Sequence, residues 1–425
     1  MPEHKKGVVP RLRFPEFRNT GPWEEKRLGE ICDVLQGYGF PEKFQGKKNG
    51  KYPFCKVSDI TYAVNKTGGA IARAENYVDD EDIEALRARL VPIGATVFAK
   101  IGEALRLNKR ALVSVECLID NNVVGLRGRD NQTKDRFVFY LSQKIDLNEY
   151  CGGAVPAVNK STLESIKLFV PEIEEQQKIA DCLSSLDEVI ELEAKKLEAL
   201  KIHKKGLMQQ LFPREGETTP RLHFPEFRNA GPWEVKSIKE LSDKVTQGGT
   251  PNTSINEYWD GDIPWITPAE MGNDAEYHYI ANTNRTISML GLKNSSAELL
   301  PKNSVIISSR APIGYVAINK LEMATNQGCK GIIPKVDVYY DFLYFCLLNA
   351  QRHLNDLGAG AGFKELSTSV LKKFQIPVPK LPEQQKIADC LSSLDRVIEL
   401  EAQKLEALKT HKKGLLQQLF PQEVD

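Results

Sequence analysis

The chain has 425 residues, and its 57 lysines and arginines balance 57 aspartates and glutamates, so the formal net charge is zero. This balance argues against a protein that binds nucleic acid only through backbone phosphates, because such proteins carry a basic excess. It is compatible with sequence-specific binding, which rests on a few local contacts to bases.

No apolar run reaches the roughly 18 residues of a membrane span, and the first residues, MPEHKKGVVPRLRF, lack the apolar core of an export signal. The eight cysteines form neither a CxxC pair nor a His/Cys pattern with zinc spacing. These features predict a cytoplasmic protein with no membrane segment and no bound metal.

Two segments of the chain occur twice. A short block, Pro10–Trp23 (PRLRFPEFRNTGPW), returns as Pro220–Trp233 with two differences. A longer run, Glu174–Pro213, returns as Pro382–Pro421, and only five of the 40 paired positions differ. The segments between these copies show no comparable identity. The sequence therefore predicts a scaffold that is kept twice while the two parts attached to it vary.

In chain order, this repeat predicts an α+β protein of six segments. The variable segments hold short apolar runs, such as Ala95–Ala99, Val123–Leu126 and Ser304–Ile307, which Gly, Pro and Asn turns separate. Such runs predict the strands of two mixed α/β domains. The predicted segments are a first block (1–25), a first variable domain (26–172), a first helix (173–213), a second block (214–235), a second variable domain (236–380) and a second helix (381–421).

The two variable domains keep a faint likeness to each other. QGYGFP at Gln36–Pro41 echoes QGGTP at Gln247–Pro251. DNNVVGL, which starts at Asp120, echoes TNQGCKGI, which starts at Thr325. We therefore predict one fold with two different surfaces.

Each repeated run predicts a long helix with a heptad pattern. The first begins after Pro171 in an acidic turn and ends before Pro213. Its span Gln176–Leu211 contains 36 residues and is about 54 Å long. Eight of the ten core positions are apolar and alternate by four and three residues, which is typical of a coiled-coil seam. The predicted seam positions are Ile179, Leu183, Leu186, Ile190, Glu193, Leu197, Leu200, Lys204, Leu207 and Leu211, with Ile387, Leu391, Leu394, Ile398, Glu401, Leu405, Leu408, Lys412, Leu415 and Leu419 in the second copy.

Two nearly identical helices favour an antiparallel pair with a pseudo-two-fold axis, for which two registers compete. In one register Glu193 and Lys204 each face a leucine; in the other they face Lys412 and Glu401. Unpaired buried charge costs more than a partly buried ion pair, so the second register is predicted. Long side chains can also reach solvent from a two-helix seam, which weakens this preference. The same symmetry predicts that Asp425 lies near the N-terminal block.

Polar, basic and aromatic side chains of the variable domains are candidates for nucleic-acid contacts. Lysine and arginine bind phosphates, a guanidinium can bind guanine with two hydrogen bonds, and Asn or Gln can bind adenine similarly. The competing interpretation is a solvated surface for each basic residue and a turn or cap for Asn326 and Gln327. The predicted DNA-binding residues are Lys43, Lys47, Lys48, Lys56, Lys100, Arg106, Lys109, Arg110, Asn121, Asn122, Thr250, Trp265, Thr267, Ser308, Ser309, Arg310, Asn326 and Gln327.

Large apolar side chains at the ends of both helices are candidates for docking a partner protein. Trp23 and Trp233, each in a GPW triplet, are instead predicted to anchor the domain cores. The predicted partner-docking residues are Leu211, Phe212, Leu419 and Phe420.

Sequence motifs of catalysis are missing. The chain has no GxxxxGK[ST] phosphate loop, no GxSxG elbow, no HExxH motif and no Pro-Pro dipeptide of the kind that adenine methyltransferases carry. The sequence therefore predicts a protein that is not an enzyme and that binds no cofactor itself.

These features resemble the specificity (S) subunits of Type I restriction–modification systems. The resemblance rests on PEFRNTGPW and PEFRNAGPW before each variable segment, on GGTP and IPW in the second, and on the EEQQKIADCLSSLDEVIELEAKKLEAL-type helix after each. It spans essentially the whole chain, although Gly39-Phe40-Pro41 stands in for GGTP in the first domain. The resemblance implies that the variable domains are two target-recognition domains and that the long helices separate them.

The resemblance also implies the partners. They are double-stranded DNA with two short half-sites at a fixed gap, two modification (methyltransferase) subunits, and restriction subunits that translocate and cleave. S-adenosylmethionine, ATP and Mg are expected on those partner subunits, and the modification subunits are expected to methylate adenine. Because the two variable domains differ in sequence, the two half-sites should differ and the target should be asymmetric.

Two alternatives stay open. A specificity subunit of a fused methyltransferase–nuclease (Type IIB-like) system would work with a single large partner protein. A structural coiled-coil protein would explain the helices but not two α/β domains with divergent polar surfaces. Binding of duplex DNA only in the presence of a methyltransferase subunit would exclude the structural protein.

Overall fold

The structure is a computed structural model, and it describes residues 7–421 except 43–44, 67, 153–154, 273–278, 311 and 359–364. The chain divides into two compact units: unit 1 is Met1–Ala194 with Leu405–Asp425, and unit 2 is Lys195–Lys404. Each unit therefore holds one block, one variable segment and part of both long helices. The boundaries of the six finer segments stay a prediction.

Unit 1 is a mixed α/β structure. Its strands are β1 Gly7–Val8, β2 Trp23–Arg27, β3 Cys32–Gln36, β4 Tyr52–Cys55, β5 Ala70–Ile71, β6 Asn76–Val78, β7 Thr96–Ala99, β8 Ala111–Val113, β9 Leu118–Ile119, β10 Val123–Gly128 and β11 Lys167–Val170. Its helices are α1 Leu28–Ile31, α2 Val57–Lys66, α3 Asp80–Leu86, α4 Glu103–Arg106, α5 Asp135–Ser142, α6 Lys160–Ser165 and the start of α7 Ile173–Leu211, with 3₁₀ turns at Pro15–Phe17 and Leu147–Tyr150.

The core of unit 1 is a five-stranded sheet with the order β3-β10-β7-β8-β5. Strand β10 pairs antiparallel with β3 and β7, so Gly125 lies opposite both Leu35 and Val97. The run 123–126 is buried throughout, which explains why it is apolar without alternation. Two three-stranded sheets, β1-β2-β11 and β6-β4-β9, complete the unit.

Unit 2 is built from a similar series of elements. Its strands are β12 Glu234–Ser237, β13 Ser242–Gln247, β14 Trp259–Ile266, β15 Tyr279–Ile280, β16 Thr286–Ile287, β17 Val305–Ser308, β18 Val316–Asn319, β19 Ala324–Thr325, β20 Cys329–Pro334 and β21 Gln375–Val378. Its helices are α8 Ile238–Leu241, α9 Pro268–Gly272, α10 Met289–Lys293, α11 Tyr340–Asn349, α12 Gln351–Leu357, α13 Thr368–Lys373 and most of α14 Leu381–Leu419, with 3₁₀ turns at Pro225–Phe227 and Asn256–Tyr258.

The strand order of unit 2 matches that of unit 1. The sheets β13-β20-β17-β18-β15 and β16-β14-β19 repeat the five-stranded sheet and the β6-β4-β9 sheet, and β12-β21 repeats the β2-β11 pair. The one parallel pairing inside each smaller sheet also recurs, with Cys55 opposite Ile119 in unit 1 and Ile266 opposite Thr325 in unit 2. The prediction that the two variable segments share one fold is confirmed.

Each repeated run forms an unbroken helix of 39 residues, α7 and α14. All ten predicted seam positions of each helix are buried or half-buried, as a coiled-coil seam requires. In unit 2, Lys196 pairs with Glu401 at 2.5 Å and Lys204 pairs with Asp395. Later residues of α7 thus meet earlier residues of α14, and the helices are antiparallel there, as predicted.

The predicted register of the helix pair is wrong. It required Lys204 to pair with Glu401, but the ammonium bonds to Asp395, one position beside the seam. The same exchange occurs in unit 1, where Lys412 bonds to Asp187. The Lys204 and Asp395 side chains keep 16% and 12% of their surface exposed. A lysine stem can therefore lie along the seam while its charge reaches the edge, which removes the penalty that motivated the prediction.

The aromatic residue that follows each long helix packs into the core of one unit. In unit 1 the Phe420 ring lies 6.0 Å from Trp23 and 5.5 Å from Phe137. In unit 2 the Phe212 ring lies 6.3 Å from Trp233. Both tryptophans are buried, which confirms their role as anchors. Docking of a partner protein requires exposed apolar side chains. All four residues of the docking prediction are buried, so this prediction is wrong: Leu211, Phe212, Leu419 and Phe420.

Each repeated block lies against the end of a long helix. In unit 1, Leu12 N donates to Gln418 O at 3.0 Å, and in unit 2 Leu222 N donates to Gln210 O at 3.0 Å. The end of α14 thus returns to the first block, in line with the predicted symmetry. Asp425 itself lies outside the described residues.

Candidate nucleic-acid interface

The predicted DNA-binding residues of unit 2 meet where strands of its two sheets end. Gly249 N donates to Thr325 O at 2.8 Å, and Asn326 N donates to Ile266 O at 2.9 Å. These bonds hold together the ends of β13 and β14 and the turn that precedes β20. We call the solvent-accessible residues at this place the strand-end cluster of unit 2: Gln247, Thr250, Thr267, Arg310, Asn326 and Gln327.

A glycine allows the chain segments to approach this closely in each unit. A Cβ on Gly248 would lie 1.8 Å from Asn326 O, and a Cβ on Gly37 would lie 1.8 Å from Asp120 O. No side chain fits at such a distance. Gly37 is therefore the counterpart of Gly248, as the likeness of QGYGFP to QGGTP predicts.

The strand-end cluster of unit 2 presents oriented hydrogen-bonding groups. The Thr250 hydroxyl donates to Gln327 Oε1, which leaves the amide N–H groups of Gln327 facing away from that bond. Asn326 Oδ1 accepts from Gly328 N at 2.9 Å, which orients its amide in the same manner. The side chain of Arg310 is half exposed beside Glu365. Amide and guanidinium donors of this kind can bind acceptor atoms of bases or phosphates.

Three predicted DNA-binding residues of unit 2 are buried, so their prediction is wrong. The Trp265 indole donates to Gly249 O at 2.9 Å and so supports the glycine turn. The Ser308 hydroxyl donates to Pro312 O at 2.7 Å and accepts from Tyr315 N. Ser309 is fully buried, and its backbone holds the end of β17 against the turn before β20. These buried residues support the strand-end cluster through their hydrogen bonds and cannot contact a base.

Two further basic residues of unit 2, Lys330 and Arg285, were not predicted from the sequence. Lys330 is buried with 1% of its side chain exposed, 3.7 Å from the Glu365 carboxylate, and burial lowers the pKa of its ammonium. The Arg285 guanidinium lies 3.6 Å from the Trp259 ring centre, a cation–π contact. The only sequence signal for Lys330 was a charge inside the apolar run CKGIIP.

The corresponding place in unit 1 carries a different set of side chains. Lys100 Nζ donates to Gln36 Oε1 at 2.8 Å, and Lys100 N donates to Asn122 O at 2.9 Å. Asp120 N donates to Cys55 O at 3.0 Å, which joins β4 to the turn before β10. We call these accessible residues the strand-end cluster of unit 1: Gln36, Lys56, Lys100, Asn121 and Asn122.

The electrostatics of the unit 1 cluster centre on Asp120. Its Oδ1 accepts from Asn122 N at 2.9 Å, and burial raises the pKa of its carboxyl group. The Lys56 ammonium lies 4.8 Å from the Phe40 ring centre. This cluster therefore combines a lysine pair with amides, whereas the cluster of unit 2 is rich in amides and hydroxyls.

Arg110 was predicted to bind DNA, but it is a core residue of unit 1. Its guanidinium lies 4.3 Å from the Phe98 ring centre and donates to Asn108 Oδ1 at 2.9 Å and to Ile145 O at 3.3 Å. Burial lowers the pKa of Arg110 to about 9. A side chain so enclosed cannot reach a phosphate, so this prediction is wrong.

Three of the other predicted basic residues of unit 1 make polar contacts with side chains outside the strand-end cluster. Lys47 pairs with Asp79, Arg106 pairs with Glu103 at 3.5 Å within α4, and the amine of Lys109 is 3.4 Å from Asn65 Oδ1. Lys48 is exposed, and Lys43 lies outside the described residues. Within the described part of unit 1, no hydrogen bond or ion pair joins these side chains to the strand-end cluster, and their role in DNA binding stays a prediction.

Neither a metal centre nor a membrane helix emerges from the parts of the chain that are described. Among those residues, no group of three or more His, Cys, Asp or Glu side chains could hold a metal ion. No helix within the same residues is long and apolar enough to cross a membrane.

The family model described as "Type I restriction modification DNA specificity domain" matches residues 20–201 and 231–410, once in each repeat. The MjaIX specificity subunit of Methanocaldococcus jannaschii, a Type I restriction enzyme subunit, is 45% identical over 179 residues, which are 42% of this chain and 41% of that protein. This chain thus matches less than half the length of that relative. A putative MjaX specificity subunit of the same organism is 28% identical over 419 residues, 94% of this chain and 92% of that protein.

The fold is also shared with solved structures. The crystal structure of the S subunit of a Type I restriction–modification system from M. genitalium has a TM-score of 0.63 at 15% identity, covering 98% of this chain and 100% of that one. A second chain, solved in work on complex assembly and conformational transition of the type I R-M system, has a TM-score of 0.56 at 18% identity. The chain belongs to the Type I restriction–modification DNA specificity family, and its role is DNA recognition, not catalysis.

Proposed function

We propose that this chain selects the DNA target of a Type I restriction–modification complex by binding two different half-sites, one with each unit. The observation that carries this proposal is the pair of strand-end clusters. They occupy the same place in one repeated fold, yet Lys56 stands where unit 2 has Thr267, and Asn121 stands where unit 2 has Gln327. A repeated scaffold with different contact residues supports an asymmetric, bipartite target.

The chemistry of the clusters suggests what each half-site offers. In unit 2 the amides of Asn326 and Gln327 match the paired donor and acceptor of adenine, and Arg310 matches guanine or a phosphate. In unit 1 Lys56 and Lys100 favour acceptor atoms, which guanine and phosphates supply. In this proposal, side-chain amides of unit 2 contact the bases of one half-site, and lysines of unit 1 contact the other.

We propose that the two long helices set the gap between the half-sites. Each has 39 residues without a break and is about 58 Å long at the usual helical rise. The major groove presents the same face about every 34–36 Å along DNA. Shortening both helices by one heptad should shorten the recognised gap without changing either half-site.

Two modification subunits are the partners that we propose for the outer faces of the helices. The described helices carry an exposed apolar pair twice: Val189 and Leu192, 42% and 65% exposed, and their twins Val397 and Leu400, 42% and 58% exposed. A patch repeated on both units fits two copies of one protein. In this proposal the modification subunits bind S-adenosylmethionine and methylate adenine, the restriction subunits use ATP and Mg, and the complex acts in the cytoplasm.

Methylation mapping tests the DNA target. Methylated adenines are mapped across the host genome with and without this gene. Loss of one asymmetric, gapped motif on deletion would support the proposal and identify both half-sites. An unchanged methylation pattern in cells that express the chain and a modification subunit would refute it.

Copurification tests the docking faces. Leu192→Asp together with Leu400→Asp should prevent copurification of the modification subunit, because a carboxylate replaces the apolar contact. Ser185→Asp adds the same charge at another exposed position of α7 and should leave copurification intact. Equal recovery with all variants would contradict this assignment.

A further inference from the structure

The two copies of the repeated block differ at only two positions, and both belong to one side-chain cluster. The differences are Arg13 against His223 and Thr20 against Ala230. In unit 1 the two side chains bind each other, since Arg13 Nη2 donates to Thr20 Oγ1 at 2.6 Å. The only substitutions in an otherwise identical block thus change one buried polar site.

In unit 1 this site is an acceptor frame around a guanidinium. Arg13 Nε and Nη2 donate to the two carboxylate oxygens of Glu175 at 2.8 and 2.7 Å. Arg13 Nη1 and Nη2 also donate to Thr20 O at 3.1 Å and to Gly21 O at 3.0 Å. The Arg13 and Glu175 side chains are only 6% and 2% exposed. A planar fork of donors, which only a guanidinium supplies, satisfies all of these acceptors at once.

Unit 2 keeps the residues that are equivalent to the acceptors of unit 1, but an imidazole takes the place of the guanidinium. His223 Nδ1 lies 3.2 Å from Glu383 Oε1, and the Glu383 side chain is 3% exposed. Glu383 is the twin of Glu175, and Ala230 and Gly231 are the twins of Thr20 and Gly21. One imidazole nitrogen cannot replace the donors that an arginine directs at the carboxylate and at two carbonyl oxygens.

A pocket of unit 2 is lined by Glu383, the residue that contacts this imidazole. Its volume is about 410 Å³, and Ala230, Gly231 and Glu383 are among the residues that line it. Its charged lining is Glu234, Lys236, Asp337, Lys380 and Glu383. The Lys236 ammonium is engaged with Glu234 at 2.9 Å. Three carboxylates against two lysines give a lining that favours a cation.

We propose that this pocket of unit 2 binds a guanidinium group, held by the Glu383 carboxylate and by the carbonyl oxygens of Ala230 and Gly231. The group is carried either by a small molecule or by an arginine side chain of a modification subunit. In unit 1 the equivalent carboxylate and carbonyl oxygens bind the guanidinium of Arg13. An ammonium ion would satisfy the carboxylate but lacks the planar fork for both carbonyls.

Titration of the purified full-length chain with methylguanidinium, followed by calorimetry, tests this assignment. Methylammonium at the same ionic strength is the matched probe. We expect one methylguanidinium site per chain and binding at least about tenfold weaker for methylammonium, because an ammonium lacks the planar fork of donors for the carboxylate and both carbonyl oxygens. Equal binding of the two cations, or no saturable binding of methylguanidinium, would overturn the proposal.

Three variants locate the site within the chain. His223→Arg should abolish binding, because the new side chain supplies the guanidinium itself. Arg13→His combined with Thr20→Ala should create a second site in unit 1. Glu383→Gln keeps the shape of the pocket but removes its carboxylate charge, so it should abolish binding of methylguanidinium. This variant tests the site even if circular dichroism shows that His223→Arg, or Arg13→His with Thr20→Ala, does not fold. Retained binding in Glu383→Gln would overturn the assignment.

The same titration, carried out on the complex with the modification subunit, distinguishes a partner arginine from a small molecule as the source of the guanidinium group. If a partner arginine occupies the pocket, methylguanidinium no longer binds the assembled complex, and His223→Arg weakens assembly. If a small molecule is the ligand, the complex still binds one methylguanidinium. Binding of a guanidinium group by unit 2 does not depend on DNA recognition, and only its assignment to a partner arginine rests on the proposed function. Failure of the methylguanidinium titration and failure of the methylation mapping are therefore distinguishable.

Discussion

Replacing Phe420 by alanine should destabilise unit 1 strongly. Its side chain is 2% exposed and packs against the rings of Trp23 and Phe137, at 6.0 and 5.5 Å between ring centres. Truncation of a buried phenylalanine costs about 3–5 kcal/mol, and part of that cost is the lost edge-to-face aromatic contact. We expect a loss of about 4 kcal/mol, which is roughly a thousandfold in the opening equilibrium.

Hydrogen exchange measured by mass spectrometry on the full chain reports this loss locally. Amides of β2 and α5 should exchange faster in Phe420→Ala by up to that factor, because their opening exposes the same core. Phe212→Ala is the twin experiment, since that side chain is 4% exposed and lies 5.7 Å from Phe342. It should accelerate exchange in α11.

Leu192→Ala is the control for this experiment, because that side chain is 65% exposed. Exposed substitutions usually change stability by less than about 0.5 kcal/mol, so exchange should stay as in the parent chain. If Phe420→Ala leaves the exchange of β2 and α5 unchanged yet prevents copurification of the modification subunit, the core assignment is wrong. The original docking prediction would then be right.

Three further substitutions test the clusters and the helix pair. Gln327→Ala should weaken recognition of the unit 2 half-site by about 1–3 kcal/mol per site and leave the other half-site intact; uniform weakening of both in a methylation assay would contradict base contact. Asp120→Asn copies Asn326 of unit 2. Because burial raises the folded-state pKa of Asp120, its contribution to stability is present at acid pH and is lost as the pH rises through that pKa. The amide should therefore stabilise unit 1 at pH 7 and not at acid pH, and urea titrations at both values decide this. Lys204→Met removes the ammonium that bonds to Asp395 and should cost about 1.5–3 kcal/mol, most of which Asp395→Asn should restore in the double variant; a double variant no more stable than the single one would refute the pairing.

The repeated scaffold could be predicted from the sequence because its signals are local. Near-identity of the two helical runs and a strict heptad pattern determine helix ends and the buried face, and the apolar runs at Ala95–Ala99 and Val123–Leu126 reappear as β7 and β10. The place of the strand-end clusters could also be predicted. The glycine of each QG pair and the turn before β10 or β20 stood out as echoes between divergent segments.

Burial of individual polar side chains was not accessible from the sequence. Ser308 and Arg110 are residue types that often contact DNA, but each side chain forms hydrogen bonds with other residues of its own unit. A polar residue is buried when neighbours distant in sequence supply its partners, as Ile145 does for Arg110. The helix register failed for a related reason, since Asp395 beside the seam competes with Glu401 on it for the same lysine.

The sequence by itself determined that the molecule is a duplicated scaffold with two divergent variable segments, since repeats, heptads and strand runs are properties of neighbouring residues. Only the tertiary structure decided which polar side chains remain accessible and where the charges of the helix pair meet. It also revealed that the two substitutions in the repeated block touch one another. Those outcomes depend on distances between residues far apart in the chain, where packing and hydrogen-bond satisfaction, not local pattern, set the free energy.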